Sequence, residues 1–316
     1  MSGGMQSRAI RVSVLTTAYQ RAGTLPRLYE SLVEQTLRDF EWVIVDDGST
    51  DGTGDLVRSL RERADFPIVY FRQDNQGKHA AVNRSVERSS GELCAIIDSD
   101  DWYKPDALER MVACWESIPA ARRDSYADVE GLRVDPEGEL ICDSYPSDVF
   151  DSNAFELIAR HGVYGDKIGL FRRDVLLEFP FPEDMGWHVT PALVWNRIAA
   201  RYSTRYVNQI WAFTDYRSGG LTDRETELRL QFPDSQLAYW REYAAMPKPM
   251  RRKSRLRAHA NCVRYSLLEG LGLRRQLAES PARGWTLLAL PPGLLLHLRD
   301  RRWLRRNRKL VEAWSP

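Results

Sequence analysis

The chain has 316 residues, enough for one large domain or two small ones. With 43% hydrophobic and 10% aromatic residues it can fill a core, which excludes a disordered chain. The formal net charge of +1 conceals an asymmetry: residues 251–316 hold 16 Lys and Arg against 4 Asp and Glu, leaving 29 against 40 in residues 1–250, so an acidic body precedes a basic tail.

From Arg11 to Thr17 alternating Val12, Val14 and Thr16 predict a strand, after which Thr24 caps an amphipathic helix to about Thr36. A second strand, Trp42–Val45, ends in Asp46–Asp47–Gly48–Ser49–Thr50–Asp51–Gly52–Thr53, and a helix with Leu56, Val57 and Leu60 on one face follows. Ile68–Phe71 makes a third strand, and Gly77–Arg88 a helix with small residues at Ala80 and Ala81. Leu93–Ile97 is the fourth strand, and Pro105 then opens a helix through Leu108, Met111, Val112 and Trp115. Alternation of this kind over 117 residues predicts an α/β fold with a mostly parallel sheet flanked by helices. Ligands gather at the C-terminal ends of such strands. The polar turns Thr17–Tyr19, Asp46–Asp51, Asp74–Lys78 and Asp98–Asp101 all lie there.

The fourth strand runs directly into Asp98–Ser99–Asp100–Asp101. Three carboxylates so close repel one another, and a hard divalent cation shared with a substrate diphosphate would relieve them. A solvated acidic loop or a helix start before Pro105 is the plainer alternative.

Farther along, Tyr126–Val134, a turn at Asp135–Gly138 and Glu139–Cys142 read as a β-hairpin. A helix near Asn153–Arg160, a strand near Lys167–Phe171, a helix near Val189–Arg201 and short strands near Thr204–Val207 and Trp211–Thr214 complete a mixed sheet. Beyond Thr222 the pattern is helical over Glu225–Tyr243, about Arg251–Leu277 and Trp285–Leu310. The expected division is a domain over residues 1–222 and a basic helical extension over 223–316. Cys94, Cys114, Cys142 and Cys262 have no paired spacing of zinc or redox motifs and are expected as reduced, buried thiols of a cytoplasmic protein. The opening residues lack the pattern of a secretory signal, and no apolar stretch reaches the roughly 18 residues of a membrane span.

Taken in order, Val12–Ser13–Val14 leading to Thr17–Ala18–Tyr19, then Val45–Thr53, Asn75–Gln76–Gly77–Lys78 with Ala81 and Asn83, Gly91–Glu92 and Asp98–Asp101 resemble the family-2 inverting glycosyltransferases. The likeness is strong over about the first 115 residues and weak over residues 165–222. It implies the nucleotide-diphospho-sugar transferase fold called GT-A. It also implies metal-dependent transfer of a sugar from a UDP or dTDP donor to a hydroxyl of a glycan, lipid-linked or small-molecule acceptor. On this likeness Asp47 contacts the nucleobase, accepting from the ring N–H of a uracil or thymine. Thr17, Ala18 and Tyr19 lie along base and ribose, Asn75 and Gly77 close over the nucleotide, and Lys78 lends charge to the diphosphate. Asp98, Ser99 and Asp100 meet the donor, and Asp98, Asp100 and Asp101 hold Mg²⁺ or Mn²⁺, whose charge assists the leaving group.

An inverting transfer also needs a base for the acceptor hydroxyl. Relatives often carry an acid where this chain has Thr190, Pro191 and Ala192, so the likeness departs here. Asp184 and then Glu183 are the candidates, with His188 in reserve and a surface turn without catalytic part as the alternative. Asp166, Tyr216 and Gly219–Gly220–Leu221–Thr222 are candidates for the acceptor side. In the tail, a Leu-rich stretch from Trp285 to Leu298 runs into Arg299–Arg306. Residues 285–310 therefore suit either peripheral contact with an anionic membrane face or packing against the protein with a solvated arginine face. Nucleic-acid binding is not expected, as the basic run lacks a recognised motif. A sugar-nucleotide pyrophosphorylase would open with a glycine-rich phosphate loop, which Thr17–Gly23 is not. A non-catalytic nucleotide-binding or membrane scaffold is kept open by the missing acid near Pro191.

Overall fold

In the computed structural model, which describes residues 9–215, 224–246 and 251–307, the apolar runs of the first hundred residues become β1 (Val12–Ala18), β2 (Phe40–Asp46), β3 (Ile68–Arg72) and β4 (Leu93–Ile96). They are parallel and lie in the order β3–β2–β1–β4. The crossovers are α1 (Leu25–Val33), α2 (Thr53–Arg63) and α3 (Lys78–Arg88). Each buries one stripe: Leu25, Leu28 and Leu32 in α1, Val57 and Leu60 in α2, and Ala80, Ala81 and Ser85 in α3. The small residues of α3 allow its backbone to lie close against β1 and β2, while Val14, Trp42 and Ile44 belong to the core shared with Leu25 of α1 and Val57 of α2. Trp42 is fully buried yet satisfied, its Nε1–H donating to Thr16 Oγ1 at 3.0 Å.

The sheet continues past β4 with strands of mixed direction. β5 (Trp102–Tyr103), α4 (Ala107–Glu116), β6 (Tyr126–Val134) and β7 (Val149–Ser152) come next, then α5 (Ala154–Glu156) with a π turn over Leu157–His161. β8 (Ile168–Arg172), α6 (Arg173–Glu178), α7 (Ala192–Arg201) and β9 (Ser203–Phe213) follow. The order extends as β4–β8–β6–β9–β5, with β7 also on β9; β8 is antiparallel to β4 and β6, and β9 is parallel to β6.

Several expectations need correction. The hairpin is rudimentary: the turn closes, with Gly138 N–H on Asp135 O at 3.0 Å, but β6 already has β8 and β9 on its two sides, so the second arm pairs only by a bridge from Leu140 to Val134. The two short strands near residues 204–214 are one, β9, because Asn208 does not turn the chain. Its side chain instead holds the neighbouring loop, donating to Tyr145 O and Ser147 O and accepting from Tyr145 N at 2.8 Å. Thr24 sits at the N-cap of α1 without a capping bond from its side chain. The helix expected over Glu225–Tyr243 breaks at Pro233 into two.

Two compact units emerge. One comprises described residues 9–181 and 197–215, and the other residues 182–196 with 224–246 and 251–307. The second unit holds α8 (Glu225–Gln231), α9 (Pro233–Ala245), α10 (Arg252–Leu268), α11 (Leu273–Ala278) and α12 (Arg283–Arg306). Gly270, at φ +69, ends α10 and separates it from α11, so the single helix expected there is also two. α12 lies against α10 through Ala289 and Gly293; a Cβ at 293 would stand 2.6 Å from Val263 Cβ, so only glycine allows this approach. Arg264 and the buried Asp300 form a paired contact across the two helices, with Nη2 to Oδ1 at 3.0 Å. All four cysteines are buried and unpaired. Among the described residues no helix is long and apolar enough to cross a membrane.

Candidate active site

The strand order reverses its growth at β1: β2 and β3 build to one side, β4 to the other. Such a switch point opens a crevice beyond the C-terminal strand ends. The turns leaving β1 and β2 are stitched into one body there. Gln20, at φ +57, donates its N–H to Ser49 Oγ (2.9 Å) and its side-chain amide to Thr50 Oγ1 (3.0 Å), while Thr50 N–H returns to Gln20 Oε1 (3.1 Å). Ala22 N–H donates to Asp51 Oδ2 at 3.0 Å. Desolvation opposes ionisation of Asp51, but bonds from Thr53 and Ala22 hold it below the usual carboxylate range. Tyr19 is 43% exposed at this turn and belongs to no core.

Asp46 and Asp47 end β2 with different duties. Asp46, fully buried, accepts from Ser49 N–H (2.8 Å) and Tyr70 Oη–H (2.7 Å). Asp47 Oδ1 accepts from Gln73 Nε2 (2.8 Å) and Gln76 N–H (2.9 Å), and Oδ2 from Gly77 N–H (2.8 Å). Three of the roughly four acceptor sites of a carboxylate are thus occupied in fixing the Gln73–Gly77 loop, leaving room for one more donor. Gly48 permits this closeness: its φ is +89 and a Cβ would meet Asn75 N at 3.0 Å. The loop ends at Gly77, from which Lys78 begins α3.

At the end of β4 the acids separate. Lys78 Nζ meets Asp98 Oδ1 at 2.5 Å, both side chains 43% exposed. Desolvation works against both charges, yet Lys78 is raised by Asp98, Asp100 and Asp101, and Asp98 is held low by Lys78, Arg133 and Arg21. Ser99 is buried and accepts from Arg21 Nε at 3.0 Å. Asp101 is buried against Arg133, which also donates to Thr214 Oγ1 (3.2 Å) and Lys167 O (2.9 Å). Burial, helped by Asp98 and Asp100, pushes Asp101 up to about 7 against the pull of Arg133. The Asp100 carboxylate has no hydrogen bond or ion pair among the described residues, while its main-chain oxygen accepts from Arg27 Nη2 at 2.6 Å. Arg27 is itself held by Asp215 (3.1 Å) and stacked 3.8 Å above Trp102.

Among the described residues no three acidic, imidazole or thiol side chains converge as a ready-made metal cage. The donor set that exists is Asp100 and the second oxygen of Asp98. That fits Mg²⁺ or Mn²⁺, bound typically by one or two carboxylates with substrate phosphates and water completing the shell. Asp101 is engaged by Arg133 and less available than the sequence suggests.

Thr17, Ala18, Tyr19, Asp47, Asn75, Gly77, Lys78 and Asp98–Asp101 thus all belong to the strand-end turns of the first unit. Asn83 instead exchanges two bonds of 2.8 Å with the main chain of Phe181 and clamps that segment. Glu183, Asp184 and His188 belong to the second unit; the two acids are exposed. Asp166 is exposed in the first unit, and Tyr216 and Gly219–Thr222 lie outside the described residues. Sequence reading missed Arg133, Arg27 and Gln73, and also Glu130, which lies on β6 and which burial pushes up to about 7 against Lys167 and Arg133. The charged residues Asp128, Glu130 and Arg133 inside the strand Tyr126–Val134 were the available signal.

Comparison with known proteins bears on this geometry. Residues 13–177, just over half the chain, match the family described as Glycosyl transferase family 2. An uncharacterized glycosyltransferase of Nostoc sp. is 39% identical over 108 residues, 34% of each protein. The chain thus spans about a third of that relative's length. Staphylococcus aureus TarS 1–349, solved in complex with UDP-GlcNAc, superposes with a TM-score of 0.57 at 14% identity, covering 92% of both chains. The mannosyltransferase PcManGT of Pyrobaculum calidifontis, solved with GDP-Man and Mn²⁺, gives 0.54 at 22% identity over 95% of this chain and 85% of that one. These two likenesses establish the fold and agree with the GT-A expectation.

Proposed function

The chain belongs to glycosyl transferase family 2, and on that premise we propose that it transfers a sugar, with inversion and metal dependence, from a UDP- or dTDP-sugar to a hydroxyl of a glycan, lipid-linked or small-molecule acceptor. The observation that carries this reading is the Asp100 carboxylate, which has no hydrogen bond or ion pair among the described residues, at the β1/β4 crevice beside the Lys78–Asp98 pair. Asp47 and the loop it fixes hold the base; its remaining acceptor site takes the ring N–H. Lys78 supplies positive charge to the diphosphate, and Thr17, Ala18, Tyr19, Asn75, Gly77 and Ser99 line base, ribose and phosphates. Asp100 and Asp98 hold Mg²⁺ or Mn²⁺, which when bound neutralises charge on the departing diphosphate. Asp184, or Glu183 beside it, takes the proton of the attacking hydroxyl. A turnover screen across UDP-, dTDP- and GDP-sugars, reading release of the nucleoside diphosphate, tests the assignment. Activity that requires the metal and is lost in Asp100→Ala supports it; a fully active variant would refute it.

The same reading extends to a membrane contact through α12. Leu287, Leu288, Leu294, Leu295 and Leu298 are 44–68% exposed and recur at helical spacing on the face opposite Ala289, Gly293 and Asp300. Exposed Arg299, Arg301, Arg302, Arg305 and Arg306 follow them, so an apolar stripe leads into a cationic end. An anionic lipid surface complements both features. Co-sedimentation with phosphatidylglycerol vesicles tests this: binding should fall with salt and in Leu295→Glu, and binding unchanged in that variant contradicts it.

A further inference from the structure

Within the second unit a cavity of about 430 Å³ shares no lining residue with the strand-end turns, and its lining carries three arginines and no carboxylate. Its volume falls in the range of small-molecule pockets. Arg264 is fixed by Asp300 and by Asn261 Oδ1 (3.2 Å) and lies 4.7 Å over the Tyr265 ring. Arg229 is anchored by Glu225 from its own helix. Arg257, 5.7 Å over the Trp240 ring, has no ion-pair partner among the described residues. Gln236 is 3% exposed, lines the same cavity, and its Nε2 has no hydrogen-bond partner among the described residues. An amide buried without an acceptor is costly, and an oxyanion relieves it. Thr190, just before α7, and Ala192, its first residue, complete the wall.

We propose that this cavity binds a saccharide through its phosphate ester: guanidinium groups and the Gln236 amide take the phosphate oxygens, and the half-buried rings of Tyr239 and Trp240 meet the sugar. Arg257, with the N–H groups that Arg229 and Arg264 do not spend on Glu225, Asp300 and Asn261, matches the several acceptor oxygens of a phosphate better than the two of a carboxylate.

Calorimetric titration of the full chain with glucose 6-phosphate tests the proposal, with glucose, glucuronate and inorganic phosphate as controls. A single saturable site is expected that persists with UDP at saturation and weakens at least about tenfold in Arg257→Gln. Arg257 is exposed, so the variant should fold, and its UDP binding, measured in the same sample, should be unchanged. Absence of binding, displacement by UDP, or equal affinity in Arg257→Gln overturns the site. Inorganic phosphate or glucuronate binding as tightly as glucose 6-phosphate overturns its assignment to a phosphorylated saccharide. Failure of UDP to bind at all would instead count against the transferase reading.

Discussion

Replacing Asp47 by Asn keeps the shape of the side chain and removes its charge and one of its acceptors. In the native site Oδ1 takes two N–H groups and Oδ2 takes the Gly77 N–H. If the amide oxygen keeps Gln73 and Gln76, its NH₂ confronts Gly77 N–H; if it is flipped, it confronts the other two. Either way at least one buried bond to a charged acceptor is lost, worth about 1.5–3 kcal/mol, and a donor faces a donor. Because these bonds fix the Gln73–Gly77 loop, most of the loss should fall on the ordering of that loop. UDP affinity should therefore drop about 10- to 100-fold, at 1.4 kcal/mol per decade. Calorimetric titration of UDP, paired with hydrogen exchange at Gln76 and Gly77, measures both consequences. Wild-type affinity with unchanged protection at the two amides would refute the role given to Asp47.

Glu130 is raised by burial from an ordinary 4.5 to about 7, so the unfolded chain releases this proton first and stability falls as pH rises across that window. Glu130→Gln should flatten the slope of unfolding free energy between about pH 4.5 and 7 and stabilise the protein at pH 8 by up to about 3 kcal/mol, seen by urea unfolding; an unaltered slope argues against the shift. Arg133→Met removes the counter-charge that holds Asp101 down to about 7, so its cost should grow as pH rises through that value and approach about 3–5 kcal/mol only where Asp101 is ionised, seen by urea unfolding at pH 5 and pH 8. A loss below about 1 kcal/mol at pH 8 would mean that the pair does little for the fold.

The parallel half of the sheet was legible because strands buried on both faces write themselves as unbroken apolar runs, Trp42–Val45 above all, closed by turn residues. The second half mixes directions, and local pattern misled there. Asn208 and Gln209 read as a break, yet Asn208 bonds sideways to Tyr145 and Ser147 while the strand runs on. The strand-end turns were recognisable as a group for the same reason the strands were. The allocation of their side chains was not. Asp47 is engaged by main-chain amides that any residues at 76 and 77 would supply, and Asp101 by an arginine 32 positions away on a strand that the acid stretch says nothing about. Sequence therefore presents three equivalent acids where the structure gives the Asp100 carboxylate no partner among the described residues, shares Asp98 with Lys78 and gives Asp101 to Arg133.

The claim that the β1/β4 crevice grips a nucleoside diphosphate through an ion on Asp100 is tested most directly by titrating UDP into the protein with and without Mn²⁺, in the wild type and in Asp100→Ala. Mn²⁺ should tighten UDP binding at least about tenfold in the wild type and leave the variant nearly unaffected, as expected for loss of a carboxylate ligand. The same Mn²⁺-dependent gain in both proteins would contradict it.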